Sequence, residues 1–417
     1  MYNYFGIMRK YYTHLILILL ALVLYFMSNF QRVAIPGAIF DTLQLDLGLK
    51  APSVTALSAV FMYSYAISLL FCGILADRYG AVKVILGGAL LFSAGALIFP
   101  NTTNIYFLYL SRAILGVGAA TFYLCLVQEA KKCFPDKYFG ISVSLMLITG
   151  YMGGVCANAP FIILTDKFAW QSILNVMGII TFVITVLFCI ERRFLHHIPI
   201  NEHAKFSLEP FKEVLSKHFN QNLFIFAGLN YGLYYVIQTV IGVKFLKDYV
   251  QMSATEASAI LSLMIIVAGA SGISLATLST FFNNRRVIFM KTICIMSSTI
   301  FAIISLCLTL HIKTKFIAVL LLMVALGGGM SPLLVPIIHA TNKYEIRGTA
   351  LSIMNCCFFL SVGFLGSITG YLLDIFKPLS NNTGHIIYSS NSYLLVFMTF
   401  FIVSLIEMYN VFKLKDV

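Results

Sequence analysis

Residues 72–84 read Cys-Gly-Ile-Leu-Ala-Asp-Arg-Tyr-Gly-Ala-Val-Lys-Val, a short polar turn between two apolar runs. The runs, 54–75 and 81–99, are each long enough to cross a bilayer at about 20 residues per helical crossing. Asp77 falls where the first helix ends, at the negative pole of its dipole. An acid is disfavoured there unless a cation or another helix N-terminus meets it. Arg78 and Lys83 are the nearby cations, and Gly73 and Gly80 permit a tight reversal. A charged hairpin joining two membrane-length helices makes the chain an all-α integral membrane protein.

The pattern repeats outward from this turn. Apolar runs fall at 14–38, 54–75, 81–99, 103–127, 139–165, 171–190, 221–246, 255–280, 287–310, 315–338, 348–374 and 391–412. These are taken as spans 1 to 12. Of 417 residues, 60% are apolar and 11% charged, so lipid is the solvent for most of the chain. The net charge of +12 does not point to nucleic acid, because the basic residues gather in alternate loops. With an inside N-terminus, inner segments hold eighteen Lys and Arg and outer segments seven. That places both termini in the cytoplasm. The run from His14 continues through Asn29-Phe30-Gln31-Arg32 with no small-residue cleavage site, and reads as an uncleaved first span. Nine cysteines show no CxxC or Cys/His spacing, and no metal site is expected.

The longest charged interruption, 191–220, divides the chain into an N-terminal six-helix bundle (1–190) and a C-terminal one (221–417). Internal echoes support a repeat. Ala113-Ile114-Leu115-Gly116-Val117-Gly118 in span 4 matches Val324-Ala325-Leu326-Gly327-Gly328-Gly329 in span 10. Gly80-Ala81-Val82-Lys83-Val84-Ile85 has a degraded partner in Asn283-Asn284-Arg285-Arg286-Val287-Ile288. Under that alignment Asp77 corresponds to Thr280.

The order Gly73, Asp77, Arg78, Gly80, Lys83 resembles the loop between helices 2 and 3 of the major facilitator superfamily. Ser111-Arg112 followed by Gly116 and Gly118 resembles that family's helix 4 motif. The resemblance implies a secondary transporter: two six-helix repeats around a central cavity, driven by a solute gradient, usually of protons. It implies that Asp77 helps latch the two halves, with Arg347-Gly348 at the start of span 11 on the same side. Drug/proton antiporters of the superfamily often carry a Gly-Pro element in helix 5. Here Gly150, Gly153 and Gly154 are followed by Val155, with Pro160 later. That departure weighs against a drug exporter, and Gly150 and Gly154 read as helix-packing positions.

Residue chemistry then nominates a site. A guanidinium in hydrocarbon is costly and should face water or a partner. Arg112 lies about seven residues, ~10 Å, inside span 4. Arg32 lies about six residues, ~9 Å, short of the far end of span 1. Because spans 1 and 4 are antiparallel, the two cations reach a similar depth, and a substrate anion between them would complete the site. Tyr25, Asn29 and Arg32 share a helix face. In span 7, Tyr231, Tyr235 and Gln238 align on one face, with Asn230 and Tyr234 beside it. All need solvated or hydrogen-bonding surroundings. Histidines, including His196, His197, His311, His339 and His385, lie in loops or near helix ends, so none reads as a buried proton relay. Glu407 in span 12 is the one acid well inside an apolar run and the candidate for proton coupling.

No nucleotide-binding loop and no buried catalytic cluster occur, so no enzyme activity, ATP drive or cofactor is expected. The expected partners are a small-molecule substrate, a coupling ion (a proton) and the bilayer, in a monomer of a bacterial inner membrane. The substrate expected is a small anionic or zwitterionic metabolite taken up by symport. A drug or metabolite exporter working by proton antiport is the alternative, ahead of a transporter-like receptor or an intramembrane enzyme.

Overall fold

A computed structural model describes residues 2–195, 207–283, 285–380 and 385–416. His196, His197, the middle of the expected linker and Asn284 lie outside the described residues. Among the described residues, twelve helices are long and apolar enough to cross a membrane: Tyr12–Leu47, Ala51–Tyr79, Ala81–Asn101, Ile105–Cys133, Lys137–Thr165, Trp170–Arg192, His218–Asp248, Ala254–Phe281, Arg286–Thr309, Phe316–Thr341, Tyr344–Leu373 and Ser390–Phe412. Large apolar side chains such as Leu90, Ile179, Ile273 and Ile402 stay exposed on the outside of the bundle, where acyl chains would meet them.

Span 1 runs farther than its apolar text. Its helix stops at Ala34, a turn follows at Ile35-Pro36, and the chain continues as a 3-10 turn (Gly37–Ile39) and a short helix (Phe40–Leu47). Pro36 has no N–H to donate, so a continuous helix cannot pass through it without losing a rung. The linker is not featureless either. It holds a short helix, Glu209–Ser216, tied to span 7 by Asn220 Nδ2 donating to the Val214 carbonyl at 2.9 Å.

Spans 2, 3 and 4 pack on one another in the first half, and spans 7, 11 and 12 in the second. Across the halves span 2 lies along span 11, and span 5 along span 8. Span 7 is buried over 83% of its apolar window against 28% for span 5, which makes span 7 the central element of the seam. Glycine sets the closest approaches. A Cβ on Gly118 would lie 2.5 Å from the Gly88 carbonyl oxygen of span 3, and one on Gly116 2.5 Å from that of Phe61 in span 2. The matching segment of span 10, Ala325–Gly329, is a 3-10 turn, so the two copies share text but differ in backbone. The only strand pairing described is Leu379–Ser380 with Ile386–Ile387 in the loop before span 12.

Candidate functional site

Arg32 sits on the last turn of the first helix segment and crosses from its own half into the other. Its guanidinium carbon lies 5.4 Å from the ring centre of Tyr65 in span 2, 5.6 Å from that of Tyr235 in span 7 and 5.3 Å from that of Phe359 in span 11. An Nη donates to Asn29 Oδ1, and Asn29 in turn donates to the Tyr25 carbonyl at 2.9 Å. Asn29 is therefore a positioning residue, held by its own helix and holding Arg32. The Tyr25 ring packs 5.5 Å from Tyr123 and fills the space beside Gly150, whose Cβ would fall 2.6 Å from it. Arg32 is 8% exposed, its Nε has no hydrogen-bond partner, and the ion pairs among the described residues do not include it. Three ring faces stand where a carboxylate would ordinarily be.

Arg112 departs from expectation. It is fully buried, and each of its three nitrogens makes one hydrogen bond: Nε to the Leu57 carbonyl at 3.0 Å, one Nη to Gln31 at 3.0 Å, the other to Ile35 at 3.3 Å. The Phe61 ring lies against it at 4.6 Å. The carbonyls of Gln31 and Ile35 lie about one turn apart at the end of the first helix segment of span 1. Arg112 thus holds the end of that helix segment to span 2.

The span 7 stripe meets Arg32 as a stack. Tyr231 lies 5.0 Å from Tyr235 at 19° and 4.9 Å from Phe358 at 27°. Gln238 follows in a π-helical segment, Ile237–Ile241, a distortion found often at functional sites. It is 2% exposed, and both its amide atoms lack hydrogen-bond partners. Asn230, beside that stripe, donates to Glu407 Oε1 at 2.9 Å. Glu407 is fully buried inside the second half, its Oε2 unpartnered. The structure thus brings Tyr25, Asn29, Arg32, Tyr231, Tyr235 and Gln238 to one seam, with Glu407 behind it through Asn230.

On the face carrying the termini, Gly80 has φ +87°, a conformation that favours glycine. Gly73 has only ordinary van der Waals space, 3.7 Å to Leu124. Asp77 accepts from Gln128 Nε2 of its own half at 3.3 Å. Arg78 lies over Tyr79, and Arg347 lies over Tyr344 and donates to the Asn342 carbonyl. Asp77 is thus held within its own half, with Arg347 turned to neighbours in the other. Lys83 follows Gly80 in the first turn of span 3. Nearby, His14 Nδ1 meets the buried Glu129 Oε1 at 2.5 Å and Lys132 meets Oε2 at 3.1 Å, so His14 is tied to a buried acid after all. Ligand atoms of His14, Glu129 and Cys133 lie within 4.8 Å of one another, but both Glu129 oxygens are already engaged.

The opposite face is sealed by charges that the sequence reading passed over. Lys244, 1% exposed by side chain, pairs with Asp41 at 2.7 Å and Asp248 at 2.8 Å and donates to the Ile386 carbonyl. Lys247 also pairs with Asp41. Asp248 accepts from the Tyr388 N–H at 3.0 Å and the Tyr393 hydroxyl at 2.9 Å, and Gln44 donates to the Tyr388 hydroxyl at 2.8 Å. Burial pushes the Tyr388 phenol above its ordinary range, so it stays neutral at physiological pH. Gly37 abuts the Thr239 carbonyl, and Gly154 approaches Ile265 of span 8. Removing one partner from a buried ion pair costs about 3–5 kcal/mol. Asp41→Asn leaves Lys244 paired with Asp248, so the loss is smaller than that, and several-fold faster amide hydrogen exchange is expected over residues 40–47 and 386–389. Exchange at the wild-type rate would mean the ion pairs do not hold it shut.

Residues 18–296 match the sequence profile described as Major Facilitator Superfamily. The chain is 26% identical over 185 residues to "Probable anion transporter 4, chloroplastic" of Oryza sativa subsp. japonica, covering 44% of this chain and 30% of that protein. It is 25% identical over 213 residues to "Multidrug resistance protein MdtL" of Shewanella sp. (strain ANA-3), covering 50% and 49%. The chain thus aligns with less than half the length of either curated relative. The crystal structure of the nucleoside transporter NupG superposes with a TM-score of 0.70 at 16% identity, over 97% of this chain and 100% of that one. At that identity the likeness concerns the fold.

Proposed function

The chain belongs to the major facilitator superfamily, and from that premise we propose that it imports a small anionic or zwitterionic metabolite by proton-coupled alternating access. An amino acid, short peptide or organic carboxylate fits the proposal. The observation that carries it is Arg32: a buried cation at the seam between the halves, faced by three aromatic rings, with one N–H open and no acid paired to it. A seam between two six-helix repeats is where an alternating-access carrier holds its substrate.

The described bonds between the halves favour a state closed on one side. Asp41 to Lys244 and Lys247, and Gln44 to Tyr388, lie on the face away from the termini. Asp77 bonds within its own half. With both termini assigned to the cytoplasm from the basic-residue asymmetry, this is the inward-facing state. The loop Gly73–Lys83 would then latch the halves when the carrier turns outward, Asp77 exchanging Gln128 for a group on the other half. Glu407 is the proposed proton carrier, and Asn230 links it to the span that bears Tyr231 and Tyr235. An exporter is the second reading, favoured by the similarity to MdtL.

Purified protein in liposomes, offered labelled amino acids, dipeptides, carboxylates and cationic drugs, separates these readings. The expected result is accumulation of an anionic or zwitterionic solute that rises when the outside is acidified. Glu407→Gln is expected to keep solute exchange while losing accumulation driven by the pH gradient. Proton-driven movement of cationic drugs alone would overturn the proposal in favour of the exporter.

A further inference from the structure

We propose that the ends of spans 9 and 12, on the face carrying the termini, hold one anionic glycerophospholipid of the surrounding bilayer. Its phosphate is met by Arg285, Lys291, Lys413 and Lys415, and its acyl chains follow the outward stripes of the two helices. The site is independent of which solute the carrier moves. Three features carry it: the depth of the cations, the scarcity of acid beside them and the apolar surface beneath them.

The two helices pack together and meet this face in opposite directions. Span 9 starts there at Arg286 and span 12 ends there at Phe412. Lys291 lies five residues beyond Arg286, about 7.5 Å along the axis, inside a segment apolar enough to cross a membrane. An ammonium is costly at that depth. Helical side chains lean toward the helix N-terminus, so the Lys291 stem runs back toward Arg286 and the headgroup level. Its Nζ stands 5.2 Å from the ring centre of Phe412, and Lys413 Nζ stands 4.0 Å from that of Tyr409. Both rings are exposed, Tyr409 at 63% and Phe412 at 52%, and tyrosines gather at the boundary between membrane and water. Beyond them Leu414 is buried, and Asp416 Oδ1 accepts from the Val287 N–H at 2.7 Å. That bond brings Lys415 to the end of span 9 that Arg285 caps.

Charge is the second feature. The ion pairs among the described residues include none of these four cations. Elsewhere on the same face Lys132 has Glu129 and Lys343 has Glu213. Asp416, the acid beside the four, already has one oxygen on a backbone N–H. A cluster of this kind attracts anionic headgroups, each basic residue adding to the pull.

The apolar surface distinguishes a lipid from a soluble anion. Ile295 follows Lys291 by one turn toward the membrane centre. Leu405 and Ile402 precede Tyr409 at helical spacing in the same direction, and all three are exposed. Cations at headgroup level above two outward apolar stripes fit an amphiphile. Free phosphate or an acidic protein would engage the cations alone.

Purified full chain, stripped of lipid and returned to micelles containing phosphatidylglycerol or phosphatidylcholine, tests this by native mass spectrometry of the retained lipid. One phosphatidylglycerol is expected to stay bound where phosphatidylcholine is lost. Lys291→Gln combined with Lys413→Gln is expected to weaken that retention about 25-fold, roughly fivefold for each basic residue, with an unchanged thermal melt. Lys131→Gln combined with Lys137→Gln, at the neighbouring ends of spans 4 and 5, is expected to retain lipid like wild type. An equal loss in that control would make the attraction a property of the whole basic face and remove the site. Unchanged retention in the first double variant would remove it as well. Phosphatidylcholine held as firmly as phosphatidylglycerol would overturn the proposal from the wild-type protein alone, whether or not the variants fold. Displacement of the lipid by millimolar inorganic phosphate would reassign the cations to a soluble anion.

Discussion

Arg32→Ala is expected to weaken binding of the transported anion by two orders of magnitude or more, while the protein folds and melts close to wild type. The size follows from truncating one partner of a desolvated, hydrogen-bonded charge pair, which costs about 2–5 kcal/mol or more. Stability is spared because no buried carboxylate is left alone: the neighbours lost are Asn29 Oδ1 and three rings. Arg32→Lys should recover part of the affinity, since an ammonium keeps the charge but not the planar fork. Labelled-solute binding to purified protein, read beside a thermal melt, checks both. Wild-type affinity in the alanine variant would remove Arg32 from the site.

Arg112→Ala should show the reverse pattern. The variant loses three hydrogen bonds to carbonyls of spans 1 and 2 and the packing of a fully buried side chain on Phe61. Leaving those acceptors unpaired in a buried place is expected to cost on the order of 3 kcal/mol or more. The measurable outcome is a lower yield of monodisperse protein and a lower melting temperature, with near-normal affinity in whatever folds. Lysine should not rescue it, because a point charge cannot span three acceptors set around a flat group. A variant that melted like wild type but bound poorly would restore Arg112 to the substrate site.

The two arginines also mark how far the amino-acid sequence could be read. Both stand out in apolar text because charge in a membrane is expensive, and all twelve spans stand out for the complementary reason. What separates the arginines is the backbone around each. Arg112 meets backbone carbonyls of spans 1 and 2, and those acceptors have no signature in side-chain text. Arg32 faces rings from spans 2, 7 and 11; helical spacing picked out its span 1 companions and Tyr235, but not Tyr65 or Phe359. The far seal was missed because Asp41, Lys244, Lys247 and Asp248 look like ordinary charges at helix ends. One clue was present: lysines spaced three apart on the outer side, which holds seven Lys and Arg against eighteen on the inner. Gln238 was found from its polarity, but the π-helical segment that leaves its amide unsatisfied has no pattern of its own. His14 shows the opposite difficulty, since a residue near a helix end gave no hint of the buried Glu129 beside it.

The interruption in span 1 has a mechanical consequence. Arg32 lies just before it and Asp41 just after, and the Arg112 guanidinium clasps the Gln31 and Ile35 carbonyls beside Arg32 to span 2. The stretch works as a short crank with its bearing at Arg112, one arm in the binding seam and the other bolted to Lys244 and Lys247. Arg32 and Asp41 thus stand on one short stretch of chain, and its anchor to the bundle lies at Arg112.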